Sequence, residues 1–489
     1  MTTLLSDQLL LILTLTLLLA LLATRYAYRS GLPIVLVFIA AGVLAGSEAI
    51  GGIEFENYDL AQLVGTLALI VILFDGGFHT ERKLFRLGLW PALSLAVFGT
   101  FGTAALVAAF AVWVLDFTWV QGLLLGGVVS STDAAAIFAT LRKQNLALKK
   151  RVQAVLEVES GSNDPPAVYL TVAMTTLLLR GEAPGWGIAL GFVQQMGLGL
   201  VLGYLAGMGV AWALRRWRFD VPSLYPLLML FVAMFIYAAA NLLGGSGFLA
   251  VYVAGVVLGN QPLPFKPMIS RFHDGMSWLM QILMFVTLGL LVFPSRLADV
   301  AGPAIGVALF LMFIARPLVS LIFLAGSGLA LRDRVLVAWA GLRGAVPIIL
   351  AIYPLTQGVA GSHTIFNIVF FVVIFSVVLQ GSTVGWLARR LGLHMPIQAM
   401  PQVHVELASW GVYDGEVLLF SVSPGTAVAG QALRDLPLPP DVLAMLIVRG
   451  EEVIPPRGST LLQTGDFIYI FAKEKQRAQL ERLFQPDAL

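Results

Sequence analysis

The sequence predicts an all-α polytopic membrane protein of about thirteen transmembrane helices, followed by a small cytoplasmic α+β domain. Three observations carry this. Of 489 residues, 58% are hydrophobic and only 12% charged, where soluble domains keep about 25% charged. Apolar windows of bilayer length recur along most of the chain. Basic residues crowd into alternate loops between those windows, and beyond about residue 400 the texture changes to short strand-like runs.

The windows centre on 8–24, 31–47, 61–77, 88–115, 119–139, 154–179, 187–214, 222–242, 247–260, 276–293, 301–325, 335–352 and 364–388. Ser6 and Asp7, rather than basic residues, precede the first, which reads as a permanent helix and not a cleaved signal. One set of loops holds nineteen Lys and Arg, among them Arg82, Lys83, Lys149, Lys150 and Arg389; the alternate set holds Arg180 and Arg296. That bias places the N-terminus outside and the C-terminus in the cytoplasm; the expected location is a bacterial inner membrane. Spans 5 and 12 run in opposite directions, and both have a polar break: Ser130-Ser131-Thr132-Asp133 in one, Gly341-Leu342-Arg343-Gly344 in the other. Such paired interruptions predict inverted repeats with two crossed broken helices and a site at mid-membrane.

Leu391–Gln402 reads as a linker, with a membrane domain over 1–395, the linker proper over 396–402 and a second domain over 403–489. Val403–Ala408, Val417–Val422, Val442–Val448 and Phe467–Phe471 read as strands, Arg449-Gly450-Glu451-Glu452 as a turn, and Lys473–Leu483 as a closing helix. Cysteine is absent, which excludes disulfides and thiol chemistry. A net charge of +2 gives no argument for nucleic acid. There is no phosphate-binding Gly-Lys-Ser/Thr loop, no His-Glu-x-x-His and no nucleophile elbow, so an enzyme is not expected, nor a cofactor.

The acids within spans are Asp75, Asp133, Glu157, Glu159 and Asp164, and the deep basic residues are Arg316 and Arg343. No histidine falls in mid-span, so a carboxylate must carry any transferred proton. A charge in the bilayer core costs several kcal/mol unless paired or hydrated, and marks binding or movement of an ion. Ser160 and Asp164 share a helix face, and Glu159 and Asn163 form the neighbouring pair. Pro165 and Pro166 lack N–H groups, which frees the carbonyls of Gly161 and Ser162. Carboxylate, hydroxyl, amide and carbonyl oxygens together suit a hard cation, with Asp164, Asp133 and Ser160 as candidate ligands and Thr132 and Asn163 beside them. The alternative is a proline kink with a buried carboxylate satisfied by neighbouring helices. Asp133 can cap the half-helix that follows the break, a role compatible with that of ligand. Arg343 needs a counter-charge: Glu159 would make a structural pair, whereas Asp164 would describe an empty resting state. Arg316, just before Pro317, can neutralise a carboxylate or a helix end. Asp75 and Glu157 lie near the inner mouth, as an access funnel or, for Asp75, a solvated helix end.

At these residues the chain resembles monovalent cation/proton antiporters of the NhaP type. The matching motifs are Thr132-Asp133, then Glu159-Ser160-x-x-Asn163-Asp164, then Arg343 in Gly-Leu-Arg-Gly-Ala-Val-Pro. The resemblance covers nearly the whole membrane part. It implies a homodimer with a scaffold and a mobile core, an elevator-like alternating access, and an arginine paired with the glutamate. Pro166 departs from the family, which usually has one proline after Asn-Asp. The tail resembles a TrkA-C regulatory domain through Val453–Gly458 and Leu462–Asp466. That implies a small-molecule or nucleotide regulator and tilts the transported ion toward potassium, with sodium as the other choice.

The expected activity is exchange of protons for cations by competition at Asp164, since desolvation favours the neutral carboxyl and a bound cation the carboxylate. Asn163 sits where electrogenic relatives have a second aspartate, so one carboxylate implies electroneutral exchange. The rival reading is a cation channel gated by the cytoplasmic domain. No Thr-Val-Gly-Tyr-Gly filter occurs, and buried carboxylates in broken helices fit a carrier better.

Overall fold

A computed structural model describes residues 11, 14–25, 33–144, 146–217, 219–396, 416–423, 425–450 and 452–484. The chain divides into two compact units, Met1–Pro396 and Ile397–Leu489, each with its own apolar core.

The helices of the first unit are α1 Thr14–Arg25, α2 Ile34–Ala45, α3 Tyr58–His79, α4 Arg82–Leu115, α5 Trp119–Val128, α6 Ala134–Lys143, α7 Lys150–Arg180, α8 Trp186–Arg216, α9 Leu224–Leu242, α10 Gly247–Gly259, α11 Lys266–Leu290, α12 Pro294–Phe323, α13 Leu331–Trp339, α14 Val346–Thr356 and α15 Ser362–Arg390. Six of these (α3, α4, α8, α9, α12 and α15) are long and apolar enough by themselves to cross a membrane. Their ends are set by local chemistry. The Asn57 side chain accepts the Leu60 N–H at 2.9 Å and opens α3. Thr118 and Gln121 cap α5 reciprocally. Close helix packing relies on small residues: a Cβ on Gly77 of α3 or on Gly255 of α10 would stand 2.5 or 2.6 Å from a carbonyl oxygen of the other helix.

Two features recur in each half of the unit. A π-turn interrupts a long helix, at Leu95–Gly99 within α4 and at Leu311–Ala315 within α12. A break then follows, between α5 and α6 in the first half and between α13 and α14 in the second. The order π-turn then broken helix, met twice, is what the inverted-repeat reading requires. The residues of spans 5 and 12 form these half-helices, and the breaks fall at the predicted polar motifs.

Strand β1, Leu146–Leu148, joins α6 to α7 and pairs antiparallel with β2, His394–Pro396. The sequence predicts a linker from Leu391; instead its first residues return to the membrane unit as a strand. The rest of that linker and the strand expected at Val403–Ala408 lie outside the described residues, as do Gln8–Leu10 of the first span and Glu451 of the expected turn. Helix α7 runs unbroken through Pro165 and Pro166.

The second unit is a four-stranded antiparallel sheet of β3 Glu416–Ser421, β4 Leu443–Arg449, β5 Glu452–Ile454 and β6 Phe467–Ala472, in the order β3-β6-β4-β5. Helix α16, Arg477–Leu483, closes it, with Leu480 in the core beside Ile447, Ile468 and Ile470. The buried Asp466 takes both Arg449 nitrogens at 2.8 Å and the Gln463 N–H at 2.8 Å. Those bonds hold Arg449, at the end of β4, to the turn before β6 and favour the charged guanidinium, raising its pKa.

Candidate ion site

The two breaks meet. The Asp133 N–H donates to the Leu342 carbonyl at 2.7 Å, tying the first broken helix to the second. At that point Asp133 caps α6: its side chain accepts the Ala136 N–H at 3.1 Å, where a helix N-terminus favours negative charge. Gly344 makes the approach possible, because a Cβ there would overlap the Asp133 carboxylate. Gly341 does the same for a second charge, since its Cβ would stand 2.6 Å from Nε of Arg316. Each glycine of the Gly-Leu-Arg-Gly motif thus admits one charged side chain against the break.

Helix α7 lies along the first break and binds it side chain by side chain. Ser160 Oγ donates to the Thr132 carbonyl at 3.0 Å and accepts the Ala134 N–H at 3.1 Å. Asn163 Nδ2 donates to Thr132 Oγ1 at 2.6 Å. Ser131 Oγ donates to Asp164 Oδ1 at 2.5 Å. Asn163 and Asp164 are 1% and 5% exposed. The structure therefore brings Thr132, Asp133, Ser160, Asn163 and Asp164 into one oxygen-rich cluster, with Thr132, Asn163 and Asp164 buried and Asp133 and Ser160 half-buried.

Arg316 neutralises a carboxylate, one of its two expected roles, but takes the Glu159 expected to pair with Arg343. Glu159 pairs with Arg316, Oε1 to Nη1 at 2.6 Å, with both side chains at most 3% exposed. Arg343 takes neither Glu159 nor Asp164 as a direct partner. Its Nη1 donates to the carbonyls of Ser130 and Ser131 at 2.6 and 2.7 Å, oxygens of the break just past the C-terminal end of α5 at Val128. A cation belongs at that end, where orphan carbonyls gather partial negative charge. The carbonyls of Ser130, Ser131 and Thr132 are occupied by Arg343 and Ser160. A buried chain steadies Arg343 in turn: its N–H donates to Ser376 Oγ at 2.9 Å, Ser376 to Gln380 Oε1 at 2.5 Å, and Gln380 Nε2 to the Trp339 carbonyl at 3.0 Å.

Asp75 and Glu157 stand apart from this cluster. Asp75 is 3.1 Å from His79 on its own helix, and Glu157 accepts from Gln153 at 2.8 Å. Neither shares a hydrogen bond or ion pair with Asp164 among the described residues. Sequence reasoning missed Ser131, Ser376 and Gln380. Ser131 lay inside a motif already singled out, and its position one residue before Thr132 was the available signal.

Residues 13–390 match the family model described as sodium/hydrogen exchanger, transmembrane, and residues 417–485 match a TrkA-C domain. The chain is 41% identical over 459 residues to a K(+)/H(+) antiporter NhaP2 of Shewanella sp. (strain MR-4), covering 93% of this chain and 79% of that one. It is 39% identical over 457 residues to a K(+)/H(+) antiporter NhaP of Alkalimonas amylolytica, with the same coverage. Among solved structures it resembles the sodium proton antiporter MjNhaP1 of Methanocaldococcus jannaschii at pH 8, with a TM-score of 0.68 and 25% identity over 78% of this chain and 99% of that one.

Proposed function

Since the chain belongs to the sodium/hydrogen exchanger family and is a cation/proton antiporter, we propose that Asp164 is the group for which proton and cation compete. One observation carries this: the carboxylate is buried on α7, faces a broken helix, and sits among hydroxyl and amide groups that can serve a cation once they leave one another. A site that holds a proton or a cation, never both, couples the two fluxes without further machinery. Asp133 and Ser160 are the other cation ligands, with Thr132 and Asn163 beside them. Glu159–Arg316 and Arg343 hold the frame: one neutralises itself, the other binds the break carbonyls of Ser130 and Ser131. With Asn163 in place of a second acid, exchange is one for one and electroneutral.

Potassium is the favoured ion, supported by the named activity of the 41%-identical relative, with sodium as competitor. The protein works as a homodimer in a bacterial inner membrane, N-terminus outside and the TrkA-C domain in the cytoplasm, where a small molecule or nucleotide regulates it. Alternating access carries the ion past the barrier; the breaks and buried acids support a carrier over a channel. The test is proton flux in proteoliposomes with potassium, sodium or rubidium. Wild type should dissipate an imposed pH gradient on potassium addition and draw no current. Asp164→Asn should abolish the exchange with the fold intact; near-normal exchange in that variant would remove Asp164 as the shared site.

A further inference from the structure

A groove of about 390 Å³ opens between α12, α13 and α15, with Pro317, Leu321, Val335, Trp339, Leu379 and Trp386 in its lining and Thr383 beside Trp339 at one end. Trp339 Nε1 donates to Thr383 Oγ1 at 3.0 Å, so that end presents no free polar group from this pair. From that bond the two helices run antiparallel toward the side rich in basic residues. Along α13 the groove is lined by Trp339 and Val335, and along α15 by Thr383 and Trp386; helical spacing puts Arg332, three residues before Val335, and Arg390, four after Trp386, on the same faces just beyond the lining. Each arginine stands seven residues from the Trp339–Thr383 bond, about 10 Å along its helix. The two therefore reach the same level, at the rim.

Both arginines are exposed. Neither has a carboxylate partner among the described residues. Asp333, adjacent to Arg332, is turned back onto the Ala330 N–H. Arg389, adjacent to Arg390, donates to Gln144. The Arg390 guanidinium lies 5.2 Å from the Trp386 ring centroid, a cation–π contact that keeps it over the groove.

We propose that this groove binds an anionic phospholipid, with an acyl chain between Trp339 and Trp386 and its phosphate between Arg332 and Arg390. The groove alone would suit any acyl chain. Two convergent guanidiniums at its rim select for a negatively charged headgroup, because arginine matches phosphate geometry and retains its charge. The occupant touches helices that hold the ion-site frame: Pro317 follows Arg316, and Trp339 receives the Gln380 bond that steadies Arg343 through Ser376.

The test is native mass spectrometry of the full-length protein with added phosphatidylglycerol or phosphatidylcholine of identical chains. Wild type should retain phosphatidylglycerol in preference to phosphatidylcholine. Arg332→Gln with Arg390→Gln, both exposed and remote from the ion site, should lower the phosphatidylglycerol affinity by about thirtyfold, two arginines' worth of headgroup attraction, and leave phosphatidylcholine retention unchanged. Leu379→Trp, which fills the groove, should lower retention of both lipids. Equal retention of the two lipids by wild type, or undiminished phosphatidylglycerol retention by the double variant, overturns the proposal. The readout is lipid retained and not ion moved, so it stands or falls separately from the role given to Asp164.

Discussion

At residue scale, the Glu159–Arg316 pair is buried on both sides, and removing one partner strands the other charge. Glu159→Gln is expected to cost about 3–5 kcal/mol of stability, seen as a lower unfolding midpoint in detergent. Glu159→Leu with Arg316→Met should recover most of that loss, since apolar replacements for a buried pair are often neutral. Ser131→Ala removes the hydroxyl on Asp164. It should lower the apparent cation affinity several-fold in proteoliposomes while leaving the fold intact. Asp164, Asn163 and Asp133 stood out in the sequence because acids and amides are costly inside an apolar span unless paired or hydrated, and Ser160 because it shares a helix face with Asp164. Which arginine takes Glu159 was not legible. Arg316 reaches Glu159 beside a π-turn and through space left by Gly341, and neither register nor clearance is written in residue type.

At element scale, the crossing of the two breaks depends on Gly344. Gly344→Ala would drive a Cβ into the Asp133 carboxylate. We expect a loss of about 1–3 kcal/mol and sharply reduced exchange, measured by unfolding and by proton flux. Gly302→Ala, at an exposed position on α12 with no atom near its Cβ, should be neutral or slightly stabilising and serves as the control. Long apolar elements could be read from composition, and so could the breaks, since polar residues interrupt them. The π-turns could not: Leu95–Gly99 and Leu311–Ala315 are apolar runs like those elsewhere in the spans, with no proline or charge inside them. Strands β1 and β2 have three residues each and pair across some 250 positions of sequence, so no local pattern announces them.

At the scale of the whole molecule, two units with separate cores share one chain. The tail domain has its own buried charge anchor, so Asp466→Asn should weaken that unit by about 1.5–3 kcal/mol, visible as earlier proteolysis of the tail, without altering ion competition in the membrane unit. The match to the exchanger family ends at residue 390, yet the hydrogen bonding of the membrane unit continues to Pro396. A chain stopped after Arg390 therefore loses more than its TrkA-C domain: it unzips the turn that connects the capped half-helix to the acid-bearing helix. Shortening the gene at 396 instead spares that fastening. Exchange by the two shortened proteins should differ, the 390 version being the slower, and only the longer one reports what the tail contributes.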